Sequence, residues 1–350
     1  MSTVSQPDGR SGARHDDGPK EPPDTASSGS GATPPPEPDA RQRLTALQGL
    51  AALSLDAMAS VAYGPESIVL VLAAAGSYGL GFTLPVTLAI AALLAVLVAS
   101  YRQVIAAFPD GGGSYAVAKA HLGRRTALVA AASLLLDYIL NVAVSVTAGI
   151  AALTSAFPAL YDDRVGLCLA VLALITALNL RGIVDSAKAF LVPTAVFIGA
   201  VLTMVVVGLF RTAPASTADG HPSLLAHQAT AVGALLLLKA FAAGCSALTG
   251  GEAVANAVPS FRAPAARRAQ QTEVALGALL GVMLIGLSVL IGRFHLQPVQ
   301  GVTVLAQLAD ASLGHNWAFY VVQFATMVLL ALAANTSFGG LPVLMGLLAR

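Results

Sequence analysis

Residues 50–76 read LAALSLDAMASVAYGPESIVLVLAAAG, and no other stretch constrains the fold as much. It is long enough to cross a bilayer, which takes about 20 mostly apolar residues. Yet it carries Asp56 in its first half and the pair Gly64-Pro65 near its middle. Proline has no N–H to donate and disfavours helical geometry at the residue before it. The pair therefore predicts two half-helices joined by unwound backbone over residues 60–64. Such backbone is tolerated at membrane depth only where it faces protein or a water-filled cavity. An acid in such a segment marks a candidate functional site.

A second apolar stretch, residues 230–258, ends in KAFAAGCSALTGGEAVANAV and repeats the oddity. Gly244, Gly250 and Gly251 weaken its helix, and Glu252 follows directly. Interrupted spans at corresponding places in two halves point to a secondary transporter whose substrate lies between the breaks. Charged residues make up 11% of the chain, against about 25% in an ordinary soluble domain, and mean hydropathy is +0.75. The expected class is an all-α, multi-pass protein of the lipid bilayer. A net charge of +1 gives no field that would favour nucleic acid.

Residues 1–42, rich in Pro, Gly, Ser and Asp, cannot bury enough apolar surface to offset their ordering entropy. They are expected to form a disordered cytoplasmic tail before a transmembrane domain over 43–350. Eight spans are predicted, at about 49–76, 83–107, 127–155, 165–180, 189–210, 230–258, 273–294 and 318–340. With the N-terminus inside, twelve Lys and Arg near span ends fall on the inner side. Only Arg164, Arg211 and Arg293 fall on the outer side. If 49–210 is one repeat and 230–350 an inverted second, the second lacks two of five spans. The chain then reads as C-terminally truncated, and Asn335 and Thr336 would face lipid.

The third span holds Asp137, Tyr138, Asn141 and Ser145. Tyr138, Asn141 and Ser145 recur at i, i+3 and i+7, which places them on one helix face. Hydroxyl and amide oxygens facing a break with a carboxylate suit a dehydrated monovalent cation, whose water shell they replace.

LSLDAMASVAYGPESIVLVLAAAG, SYRQVIAAFPDGGGSYAVAKAHLG, DYILNVAVSVTAG, NLRGIVDSAK, FAAGCSALTGGEAVANAVPSF and LAANTSFGGLP together resemble the APC superfamily. Within it they are most similar to the KUP-type, KimA-like potassium importers, from about residue 42 onward. The resemblance implies a LeuT-like inverted-repeat fold, proton-coupled uptake of K+, and often a homodimer. It implies no cofactor and no metal beyond transported K+. Asp56 and Tyr63 fall on the family's acidic and tyrosine positions, with Ser60 in the same turn. Tyr138 and Ser145 match its third-span oxygen donors, and Thr249 matches the hydroxyl beside the second break. Asn141 stands where the relatives carry Thr.

Each candidate also has a plainer reading. Asp56 is either an ion- or proton-handling group or a structural acid paired with a neighbouring helix. Glu252 is either a gate or coupling carboxylate or a cap on the second half-helix. Asp137 either meets substrate or pairs with Lys239. Glu66, following Pro65, suits the N-terminal dipole of an outer half-helix. The PDGGGSY stretch at 109–115 lacks the Gly-Lys-Ser/Thr ending of a phosphate loop and reads as a flexible re-entrant or cytoplasmic gate element. Cys168 and Cys245 read as buried structural thiols. The six histidines show no metal-ligand spacing, and an enzyme is not expected. An amino-acid or amine permease, and a non-transporting fragment or sensor, are the competing functions.

Overall fold

In the computed structural model, residues 43–111, 113–181, 187–217, 221–226 and 231–348 are described. The expected tail at 1–42 lies outside them. Thirteen α-helices occupy the described residues. The first half contains α1 (Ala46–Leu53), α2 (Leu55–Leu72), α3 (Gly76–Leu80), α4 (Thr83–Ala107), α5 (Gly113–His121), α6 (Arg124–Ala156), α7 (Arg164–Leu180) and α8 (Ala187–Phe210). The second half contains α9 (Ala234–Gly244), α10 (Glu252–Asn256), α11 (Ala265–Arg293), α12 (Val304–Leu313) and α13 (Trp317–Leu348).

Among the described residues, seven stretches are long and apolar enough to span a membrane. The expected fourth span is α7, with 17 residues. At about 1.5 Å per residue it falls short of a hydrocarbon core roughly 30 Å thick. The protein is therefore all-α and polytopic. Between the seventh and eighth expected spans lies α12, where the sequence reading has only a loop. Thr303 caps it, its hydroxyl accepting from the Ala306 N–H at 3.1 Å.

The central element is α2. Buried residues fill 72% of the apolar window of Leu55–Leu80, against 17% for α6. A helix enclosed on all sides contacts protein rather than lipid, and α2 packs on α9, α11 and α13.

The first break does not lie at residues 60–64. Helix α2 runs unbroken through Pro65, and the interruption falls at Ser54 between α1 and α2. Thr45 and Gln48 cap α1 reciprocally, and the Ser54 hydroxyl turns back to the Leu50 carbonyl. A proline inside a membrane helix loses a ladder bond that neighbouring groups can offset. The small residues serve close packing instead. A Cβ on Gly64 would lie 2.8 Å from Ala247 Cβ. The Ser60 hydroxyl donates to the Ala57 carbonyl at 2.7 Å and to the Ala247 carbonyl at 3.0 Å. Small residues let membrane helices approach closely, where dispersion and hydrogen bonds replace the hydrophobic drive.

The second break falls where the glycines predict it. A 3-10 turn, Cys245–Leu248, follows α9; Thr249 is extended, and Gly250 takes φ 85° before α10. Gly250 is required twice over. Its backbone is left-handed, and a Cβ there would lie 2.6 Å from the Ala57 nitrogen and 2.9 Å from Asp56 Cβ. The second break is thus pressed against the first turn of α2.

In the glycine-rich 109–115 segment, Ser114 is docked rather than free. After a turn it enters α5, where the Ser114 N–H and hydroxyl donate to Glu252 Oε1 and Oε2 at 3.2 and 2.7 Å. Asn335 is partnered rather than bare, its Oδ1 accepting from Asn179 Nδ2 at 2.7 Å. Thr336 donates to the Ala333 carbonyl at 2.9 Å.

Candidate ion site between the central helix and the third span

Because α2 is continuous, Asp56 and Tyr63, seven residues apart, share one helix face. That face meets α6 at Asn141. Asn141 is buried and acts as a hub. Its Oδ1 accepts from Tyr63 Oη at 3.4 Å and from Ser145 Oγ at 3.3 Å, while its Nδ2 donates to Ser337 Oγ at 2.6 Å. Three elements, α2, α6 and α13, therefore close on one amide. A threonine has only a single polar atom to offer, so the longer amide is what makes the three-way junction.

Asp56 lies in the first turn of α2. Its Oδ1 is enclosed and has no hydrogen-bond partner, and the Asn141 amide and Asp137 carboxylate are its polar neighbours. Thr249 brings the second break to the same place. Its hydroxyl donates to the Ser246 carbonyl at 3.2 Å and neighbours the Tyr63 hydroxyl. Ser246 Oγ is also enclosed without a partner. Asp56, Tyr63, Asn141, Ser145 and Thr249 are thus brought together. An enclosed carboxylate oxygen beside hydroxyl and amide oxygens is a donor set for a hard cation.

The other candidates stand apart from this hub. Ser60 is fully buried and its proton is spent on two carbonyls, so it joins the breaks. Tyr138 is half-buried and lines a side cavity of about 300 Å³ with Leu172 and Ser337. The carboxylates of Glu252, Asp137 and Asp56 lie around its hydroxyl. Glu252 both starts α10 and holds α5. Lys239 is exposed on α9 and forms no ion pair with Asp137, because its side of that helix faces away from the packed interior. Glu66 lies within α2, not at a helix start, so a dipole cap on α2 does not explain it.

Sequence reasoning does not single out Ser337 or Glu273. Ser337 lies inside the quoted motif LAANTSFGGLP, and a polar run in an apolar span was the available signal. Glu273 is 2% exposed on α11, and its Oε2 has no partner. The Cβ position of Gly251 lies 3.7 Å from both Glu273 Oε1 and Tyr101 Cε2, so this carboxylate flanks the second break. At the edge of an apolar run it reads as an interfacial charge.

The sequence pattern of the family described as "Amino acid permease" matches residues 47–350. A Bacillus subtilis (strain 168) protein named potassium transporter KimA is 43% identical over 310 residues. The match covers 88% of this chain and 51% of that protein, so the chain spans about half the length of that curated relative.

Proposed function

The chain belongs to the amino acid permease family, and from that premise we propose that it forms the cation-binding part of a proton-coupled potassium importer. The observation that carries this is the unpartnered Asp56 Oδ1 beside the Asn141 hub. A carboxylate without a cationic partner attracts a cation and repels an anion. Amino-acid recognition needs free backbone amides to hold an α-carboxylate. In α2, residues 60–64 remain helical, so their amides are spent within the helix. The potassium-transporter name of the Bacillus relative supports the same choice.

In this reading the protein lies in the cell membrane with its N-terminus in the cytoplasm, as the excess of inner Lys and Arg favours. The region 49–210 forms one repeat and the region from 230 onward the other. One group of helices rocks against the rest around the contact of Gly250 with Asp56 and Ala57. Asp56, Tyr63, Asn141, Ser145 and Thr249 hold the ion, while Asp137, Glu252 and Glu273 line its route toward the cytoplasm.

The test is growth rescue and radiolabelled rubidium uptake in cells that lack their own potassium uptake. The 350-residue chain and any longer protein containing it are both expressed. Rescue with saturable rubidium uptake is expected. Saturable amino-acid uptake without rescue would establish the second reading, which the family's description favours.

A further inference from the structure

Two cavities meet beside α2, on the Glu66 side of Tyr63. The larger, about 760 Å³, is lined by Tyr161, Arg164, Gln300 and Thr303 among others. The smaller, about 270 Å³, reaches Tyr63 itself. Glu66, Leu70, Thr147, Ala151 and Thr303 line both and so form the neck between them, three of them with side-chain oxygens. Glu66 lies three residues beyond Tyr63 on the same helix, about one turn away.

Several oxygens at the neck and in the smaller cavity have their protons engaged elsewhere. Thr147 spends its hydroxyl proton on the Ala143 carbonyl at 2.8 Å. Ser67 and Thr326, which line the smaller cavity, spend theirs on the carbonyls of Tyr63 at 2.9 Å and Val322 at 2.7 Å. Each hydroxyl oxygen keeps lone pairs for a ligand. The Glu66 carboxylate neighbours the Val304 N–H at the start of α12. A bond there would occupy only one of its roughly four acceptor positions.

Arg164 is the basic side chain that lines the larger cavity, and it does not reach the smaller one. Its guanidinium lies 4.3 Å over the Tyr161 ring and donates to the Tyr161 carbonyl at 2.9 Å. The neck therefore carries one carboxylate, acceptor oxygens and no cation among its lining residues.

We propose that Glu66, with Thr147 and Thr303, forms a second site for a monovalent cation, at which the ion waits before passing Tyr63 to the Asn141 hub. This rests on the reading of the chain as a potassium carrier. It adds a site in series with the first. A purely structural Glu66 would tie α2 to α12 through Val304 and would not respond to the ion.

The test is thermal unfolding of the purified protein in detergent, with potassium chloride titrated against choline chloride. It reads binding whether or not the protein transports. Asp56→Asn removes the charge at the inner site and should leave one saturable potassium-dependent rise in Tm. The double variant Asp56→Asn/Glu66→Gln should lose it. Glu66→Gln alone keeps an acceptor for the Val304 N–H and should raise the potassium midpoint about tenfold. Thr147→Val, which keeps shape and charge, should raise it in the same direction. Should Glu66→Gln fail to fold, Thr147→Val in the Asp56→Asn background gives the decision. Loss of all potassium dependence in Asp56→Asn alone, or an unchanged midpoint in both neck variants, overturns the second site. Failed rubidium uptake alongside an intact Glu66-dependent rise would instead overturn the transport reading and leave the site standing.

Discussion

The Tyr63 hydroxyl donates to Asn141 Oδ1 across 3.4 Å and so ties the central helix α2 to α6. Asn141 then passes the connection to α13 through the 2.6 Å bond to Ser337. Replacing Asn141 by alanine leaves Tyr63, Ser145 and Ser337 without their shared partner. Such a loss costs about 1–3 kcal/mol, roughly 5- to 150-fold in apparent affinity. Asn141→Ala should therefore raise the half-saturating rubidium concentration by that range. Asn141→Thr should recover the ion-facing oxygen but not the bond to Ser337. A concentration dependence unchanged in both variants would show that the hub does not touch the ion.

The contact between the two breaks is steric and makes its own prediction. Gly64→Ala places a methyl group 2.8 Å from Ala247 Cβ. Overpacking of this kind costs about 1–3 kcal/mol. Ala247→Gly removes the opposing methyl, so the double variant should regain most of the lost thermal stability. Neighbouring sites that share one clash couple non-additively, and simple addition of the two effects would mean that α2 and the 245–248 turn do not meet at Gly64.

The docking of α5 is testable by hydrogen exchange. Ser114 donates twice to the Glu252 carboxylate, and bonds to a charged group are worth about 1.5–3 kcal/mol. Glu252→Ala should speed amide exchange at the start of α5 by roughly 10- to 150-fold. Ser114→Ala, which keeps the backbone bond, should have a smaller effect. Unaltered exchange in Glu252→Ala would leave the gate-element reading of 109–115 in place.

Much of this was legible in the sequence, and the failures have physical causes. The spans follow from hydropathy, which the bilayer imposes on every long stretch. The second break was legible because three glycines cluster there, and one of them, Gly250, takes a left-handed backbone. The first was misplaced because Gly64-Pro65 has two physical uses, breaking a helix and letting one pack closely. Only the position of Ala247, 183 residues away in sequence, decides between them. The i, i+3, i+7 face of α6 brought out Asn141 and Ser145, while Ser337 depends on how α13 meets that face. Charge alone left pairing with Lys239 open as one reading of Asp137, and helix rotation, which sequence does not fix, turned Lys239 outward.

The last prediction separates ion handling from structure at Asp56. Asp56→Asn keeps size and removes the formal charge. A structural acid paired with a neighbouring helix would lose its partner in this variant, and the protein would melt earlier. Here Oδ1 has no partner and, among the described residues, no basic side chain pairs with the carboxylate, so removing the charge costs the fold little. Asp56→Asn should therefore melt at the same temperature or higher in choline chloride. It should lose the potassium-dependent stabilisation that belongs to the inner site. Its loss of rubidium uptake should exceed that of Tyr63→Phe or Ser145→Ala, because only Asp56→Asn removes formal charge. Each of those two removes one oxygen, worth roughly 5- to 150-fold, while Tyr138→Phe, in the side cavity, should have the smallest effect. A destabilised Asp56→Asn that still transports would make Asp56 a packing residue and move the ion toward the Glu252 and Glu273 carboxylates.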